Sequence, residues 1–295
     1  FQMSCLCLLV NIIKAPYNAI IIAKERMNFY AYISVAEAAV KLFITFSISW
    51  IVTFRLSYYA IMLFALTVIV YILTLMYAKR QICNLSFQLY FHKAIFKEVL
   101  SFSGWNLFGA ASGAIKSQGI NVLINLFFNT VINASRGVAF QVLSGIQQFV
   151  SNFQVAINPQ IVQSFASGDK DRYLKLTYLS AKLSLYLMWV IALPVMASLN
   201  LILDVWLGKD MVPEYTSLFI YIILFTGLFD ALGSSISVPI YATGNIKGYQ
   251  IITSSVKFMV LPISYILYRI GFGPAASMYI SLLLAGIEQT SRVVI

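Results

Sequence analysis

Stretches of about twenty or more mostly apolar residues recur along the whole chain with short gaps between them, and this leaves few folds open. At roughly 1.5 Å of rise per residue, a helix of that length crosses a hydrocarbon core of about 30 Å. Lipid offers no partner for backbone amides, so each stretch must bond within itself and reads as a helix. Nine such spans are expected, approximately 1–22, 29–51, 57–77, 101–128, 131–165, 174–199, 215–241, 249–270 and 272–293. Only 10% of residues are charged, where a soluble domain has roughly a quarter. The chain is expected to be an all-α integral membrane protein, a polytopic helical bundle.

The opening span starts at Phe1 with no basic segment before it, so it does not read as a signal peptide. The last span runs into Ile295, and the chain reads as an excerpt of a longer protein. Cys5, Cys7 and Cys83 have neither a zinc spacing nor a disulfide framework, and they read as packing residues. His92 lies in a basic connection and reads as a surface side chain. No metal, cofactor or nucleic-acid partner is expected.

Six basic residues, Lys14, Lys41, Lys116, Arg136, Lys182 and Lys257, fall inside these apolar stretches. Charge at that depth is costly and usually functional. Of the acids, only Glu37 and Asp230 are counted as comparably deep, so the interior is expected to be net positive and to suit an anion. Lys14, Lys41 and Lys116 are near mid-span, while Arg136 is only about five residues inside its span and is free to snorkel. Lys182 and Lys257 also read as candidates for snorkelling. Glu37 and Lys41 form an i,i+4 pair in the favourable order, which sets mutual neutralisation beside a binding role.

The connections alternate in charge. Lys24, Arg26, Lys79, Arg80, Lys93, Lys97, Lys170, Arg172, Lys175, Lys247 and Arg292 belong to one side. The other has Arg55, Lys209 and Arg269, with Asp204, Asp210 and Glu214 nearby. By the positive-inside rule the first side is cytoplasmic. The connection 78–100 mixes Lys79, Arg80, His92, Lys93 and Lys97 with Phe87, Leu89, Tyr90, Phe91 and Phe96, and is expected to be an interfacial amphipathic linker. It divides the chain into an incomplete N-terminal lobe, 1–77, and a C-terminal lobe, 101–295.

Helical spacing places polar residues in stripes. Ser4, Cys7, Asn11, Lys14 and Asn18 share a face of the first span, and Tyr30, Ser34, Glu37, Lys41 and Thr45 share one in the second. The fourth aligns Ser103, Asn106, Gly109, Gly113 and Lys116, and the fifth aligns Gly137, Gln141, Ser144, Gln148, Ser151 and Asn158. The third, 57–77, is the least polar and is expected to face lipid. Gly109 and Gly113 form a GxxxG pattern suited to close helix approach. Pro16, Pro159, Pro194, Pro239 and Pro262 lie within or near spans and read as kinks.

Specific strings carry a family likeness. They are Leu100-Ser-Phe-Ser-Gly-Trp105-Asn, Gln118-Gly-Ile-Asn-Val-Leu-Ile-Asn125-Leu-Phe-Phe128, Asn133-Ala-Ser-Arg136-Gly-Val-Ala-Phe-Gln141, Phe149-Val-Ser-Asn-Phe-Gln154 and Asn158-Pro-Gln-Ile161. Ala15-Pro-Tyr-Asn-Ala-Ile-Ile-Ile-Ala-Lys24-Glu-Arg-Met, Trp206-Leu-Gly, Val212-Pro-Glu-Tyr215 and Ala242-Thr-Gly-Asn-Ile-Lys247 extend it over most of the chain. With these strings the chain resembles the polysaccharide flippases of the multidrug/oligosaccharidyl-lipid/polysaccharide exporter superfamily, of the Bacteroides type. Two positions depart from the family pattern, Ser117-Gln118 and Asn129-Thr130.

The resemblance implies a two-lobed, MATE-like fold of 12–14 helices, of which this chain would carry the fourth to twelfth spans. It implies movement of a polyprenyl-diphosphate-linked oligosaccharide, such as an O-antigen unit, across a bacterial inner membrane by alternating access. Polysaccharide polymerase and other assembly proteins would then be partners. Lys14, Lys41, Lys116 and Arg136 are the expected diphosphate contacts, by charge-assisted hydrogen bonds. Asn11, Asn18, Asn106, Gln118, Gln141 and Gln148 are expected to meet sugar hydroxyls, and Glu37 and Asp230 are the candidates for ion coupling. A cation-coupled drug exporter of the same superfamily is the alternative. A glycosyltransferase or polymerase fits less well, because the sequence has no metal-binding carboxylate pair, His-centred constellation or Gly-rich nucleotide loop.

Overall fold

The structure, a computed structural model, describes residues 2–24, 26–48, 55–81, 92–208 and 211–294. Ten α-helices and no strand occur among the described residues. They are α1 (Gln2–Ala23), α2 (Met27–Ser47), α3 (Arg55–Gln81), α4 (Lys93–Phe127), α5 (Thr130–Ala166), α6 (Lys170–Ala197), α7 (Leu199–Leu207), α8 (Thr216–Ala242), α9 (Lys247–Ile270) and α10 (Ala276–Val294). Six of them, α1, α2, α3, α6, α8 and α9, are long and apolar enough to cross a membrane, and the chain is a membrane protein. The helices over the other three expected spans, α4, α5 and α10, fall outside that group.

The chain divides into two compact units, residues 1–90 and 91–295. In unit 1, α1 and α2 both pack on α3. The third span, expected to face lipid, thus carries one packed face among mostly exposed ones. Its Leu66, Val70, Thr74 and Ala78 are buried, while Ile61, Ile69, Ile72 and Met76 on other faces are exposed. Low polarity marked α3 as lipid-compatible, but apolar side chains serve equally well between helices in a membrane, where association depends on packing. Few side chains are enclosed: Leu8, Leu9, Ile12, Val35, Leu42, Phe43 and Phe46 are all exposed. In an apolar solvent such faces need no cover.

The expected linker 78–100 is not a separate element where it is described. Its first residues complete α3, and Lys93 to Leu100 are the opening turns of α4. Residues 82–91, with Cys83, Phe87, Leu89, Tyr90 and Phe91, lie outside the described residues, as do Lys209 and Asp210.

Unit 2 is built around α8, which packs on α5, α6 and α10, while α9 packs on α4 and α10. Phe219, Ile220 and Leu224 of α8 are fully enclosed, with Met188 of α6, Ile124 of α4 and Val260 of α9 in the same core. Polar groups tie the helices together where apolar contact alone gives no register. Gln154 of α5 donates through Nε2 to Ser234 Oγ at 2.6 Å and Ser184 Oγ at 3.0 Å, and Ser180 and Ser235 meet at 3.0 Å. Buried bonds of this kind average about 0.6 kcal/mol in membranes.

Local chemistry sets the helix starts. Asn129 caps α5, accepting from Ile132 N at 2.8 Å, and Asp169 caps α6, accepting from Arg172 N at 3.1 Å. Asn129 therefore has a clear local role. All five prolines noted in the sequence lie inside helices, Pro16 in α1, Pro159 in α5, Pro194 in α6, Pro239 in α8 and Pro262 in α9.

Gly109 and Gly113 serve different ends. A side chain at Gly109 would overlap the Gln250 amide of α9, so α4 and α9 approach closely there, as the GxxxG pattern suggests. Gly113 faces open space on a cavity wall.

Candidate functional site

Unit 2 encloses a cavity of about 260 Å³ between α4, α5, α8, α9 and α10. Its charged lining is Lys116, Arg136, Lys257 and Arg292 against Asp230 and Glu288. Four basic side chains face two acidic ones, a formal excess of two positive charges. Ser117, Thr226 and Ser281 add hydroxyls, and Ile120, Phe140, Leu143, Ile223 and Met278 complete the wall.

Each charge reaches the cavity for a local reason. Lys116 follows Gly113 by three residues on the inward stripe of α4. Its charged neighbours are Asp230, Glu288, Lys257 and Arg136, and it makes none of the ion pairs within 4 Å found among the described residues. Arg136 does not snorkel: it is 3% exposed, donates to Asn121 Oδ1 of α4, and lies 4.4 Å from the centroid of the Phe140 ring. Beside it, Ser135 Oγ donates to Glu214 O at 2.6 Å and fixes α5 to the turn before α8. Arg136 is instead held inside unit 2 by Asn121 and the Phe140 ring, despite its shallow depth in the span.

Glu288 is the residue that the depth count omitted. It is 5% exposed, and its Oε1 lies 2.5 Å from Arg292 Nη2 and 3.6 Å from Lys257 Nζ. Lys257 is therefore held by a carboxylate inside unit 2, which favours the buried alternative over snorkelling for this side chain. Arg292, assigned to a loop, is helical in α10 and also stacks over Tyr249 at 5.8 Å. A signal was present: Ser277, Ser281, Glu288 and Arg292 follow helical spacing on one face of α10.

The other expected residues are placed as follows. Lys14, Asn18 and Glu37 line a separate hollow of about 80 Å³ within unit 1. Lys41 is exposed and bonds Glu37 at 2.6 Å, as the i,i+4 spacing indicated, and Asn11 is exposed. Asp230 lines the unit 2 cavity, and it alone of the two ion-coupling candidates does so. Asn106 is half-buried and donates to Phe102 O at 3.1 Å. Gln118 is exposed and accepts from Asn121 Nδ2 at 3.1 Å. Gln141 and Gln148 are exposed, with Gln148 donating to Asn152 at 3.1 Å. The polar stripe of α5 thus lies on the outside of unit 2, while Arg136 and Gln154 point inward. None of the six expected sugar contacts lines the cavity of unit 2.

Lys182 is exposed, lies 5.7 Å from the Tyr186 ring centroid, and borders an apolar groove of about 570 Å³. The groove runs between α6 and α8 and includes Tyr178, Leu185, Leu232 and Ile236; Arg292 borders both the groove and the cavity. Among the described residues no group of three His, Cys, Asp or Glu side chains is placed to hold a metal ion. Comparison of the chain with family models, curated proteins and solved structures finds no match.

Proposed function

We propose that this protein is a transporter that flips a polyprenyl-diphosphate-linked oligosaccharide across a bacterial cytoplasmic membrane, in the assembly of a surface polysaccharide. The observation that carries the reading is the cationic cavity between the helices of unit 2. Two buried donors strengthen it: Nε of Arg136 and Nε of Arg292 have no hydrogen-bond partner. Buried donors are nearly always satisfied, so unpaired guanidinium N–H groups on a cavity wall suit a ligand rich in acceptors. A diphosphate supplies several oxygens and negative charge, while its isoprenoid chain remains in an apolar environment.

On this reading all nine long helices span the membrane, with α4, α5 and α10 tolerated there because their polar groups face protein or water rather than lipid. The connection 167–169 and the α8–α9 turn face the cytoplasm. The cavity opens to each membrane face in turn, and no nucleotide is hydrolysed. A cation-coupled drug exporter is the second reading, favoured by Asp230 and Glu288 in the same cavity. Glu288 already has two basic partners, and this weakens its suitability for a cationic drug.

The test is complementation of a deletion in the native host, with mass spectrometry of lipid-linked intermediates. Lys116→Met and Arg136→Met are expected to leave protein levels normal while lipid-linked oligosaccharide accumulates on the cytoplasmic side. Full transport by a variant lacking the charges of Lys116, Arg136, Lys257 and Arg292 sinks the proposal.

A further inference from the structure

Lys257 of α9 and Arg292 of α10 converge on a single oxygen, Oε1 of Glu288, at 3.6 and 2.5 Å. A carboxylate held in this way is already an anion bound between two cations in a cavity wall. It uses the arginine poorly: the contact is through Nη2 alone, and the buried Nε remains without an acceptor. Next to it Gln289, also buried, has neither its amide nitrogen nor its amide oxygen partnered. Both side chains press on Gly233 of α8, where any Cβ would overlap them. The corner therefore has unfilled hydrogen-bonding capacity that one carboxylate oxygen does not meet.

We propose that Lys257 and Arg292 form a phosphate subsite and that Glu288 occupies it as a resident counter-ion until a phosphate group displaces its carboxylate. The proposal rests on reading the cavity as a diphosphate site and adds the groups that grip it. A phosphate brings more charge and more acceptor oxygens than a carboxylate, and it can bond a guanidinium through two nitrogens at once. Exchange of one anion for another also avoids the penalty of leaving two partly buried cations bare when the ligand departs. Glu288 thereby weakens binding, since apparent affinity scales with the fraction of sites that are open.

The test measures binding of inorganic pyrophosphate to the full chain in lipid nanodiscs. Glu288→Gln is expected to bind about tenfold more tightly than wild type, as for a subsite that is open about a tenth of the time, and Lys257→Gln in that background is expected to abolish the gain. Unchanged or weaker binding by E288Q overturns the proposal. Carbodiimide labelling of the wild-type protein needs no variant to fold: pyrophosphate is expected to increase modification of Glu288, and protection or no change overturns the proposal. If binding is lost in R136M yet is not tightened in E288Q, only the Glu288 role falls. If the wild type binds no pyrophosphate, the diphosphate reading of the cavity falls with it.

Discussion

Lys41 in unit 1 and Lys257 in unit 2 each lie in mid-helix beside one carboxylate, but their surroundings differ. The Lys41 and Glu37 side chains are 53% and 29% exposed, and those of Lys257 and Glu288 are 24% and 7% exposed. The first pair shares one helix face, with Lys41 on its exposed side and Glu37 at the edge of the small hollow. The second is assembled from α9 and α10 and joined by Arg292, with Lys116, Arg136 and Asp230 on the same cavity. The three helices of unit 1 line a hollow of about 80 Å³, and five of the helices of unit 2 line one of about 260 Å³. Charge within a span is thus a necessary sign of a site, and enclosure from several helices decides whether it becomes one.

Variants can break or sharpen this contrast. The largest effect is expected at Arg136. Truncating a buried hydrogen-bonded charge costs about 3 kcal/mol, so R136M should lose roughly a hundredfold in pyrophosphate affinity. Lys14→Met and Lys41→Met should each lose less than about threefold by the same measurement. Equal losses in the two units would erase the distinction.

Next comes stability. Gln154→Leu strands the serine hydroxyls at the α5, α6 and α8 junction and should cost about 1–3 kcal/mol. Gln148→Leu, on the exposed side of the same helix, should stay within about 0.5 kcal/mol. Thermal unfolding in detergent compares the two. Gly233→Ala forces Gln289 and Arg292 aside and is expected to cost about 1 kcal/mol, whereas Gly137→Ala meets open space and should be neutral or slightly stabilising. Glu37→Gln, in a half-exposed i,i+4 pair, should change stability by less than about 0.5 kcal/mol and leave pyrophosphate binding unaltered.

The helices were largely legible because apolar length is a local property: α1, α3, α6, α8 and α9 coincide closely with expected spans. The inward stripe of α4 was also legible, and Lys116 lies on the cavity as its spacing indicated. The stripe of α5 misled. Periodicity shows that Gln141, Ser144 and Gln148 share a face, but not which neighbour that face meets, and it is exposed. Arg136 and Gln154 belong to the opposite, inward side of the same helix. Glu288 was not legible as deep because it lies four residues from Arg292, near the end of its span, where side chains ordinarily reach the interface.

The sequence by itself determined an all-helical membrane protein, the approximate extent of its spans, and the presence of basic residues within them. These follow from the low dielectric of lipid, which forces backbone bonds inward and penalises each charge one by one. Only the tertiary structure decided which charges share a space. Whether Arg136 snorkels or is enclosed, and whether Lys257 is bare or held by Glu288, depends on side chains that arrive from other helices. Those contacts join residues far apart in the chain, so no local pattern records them.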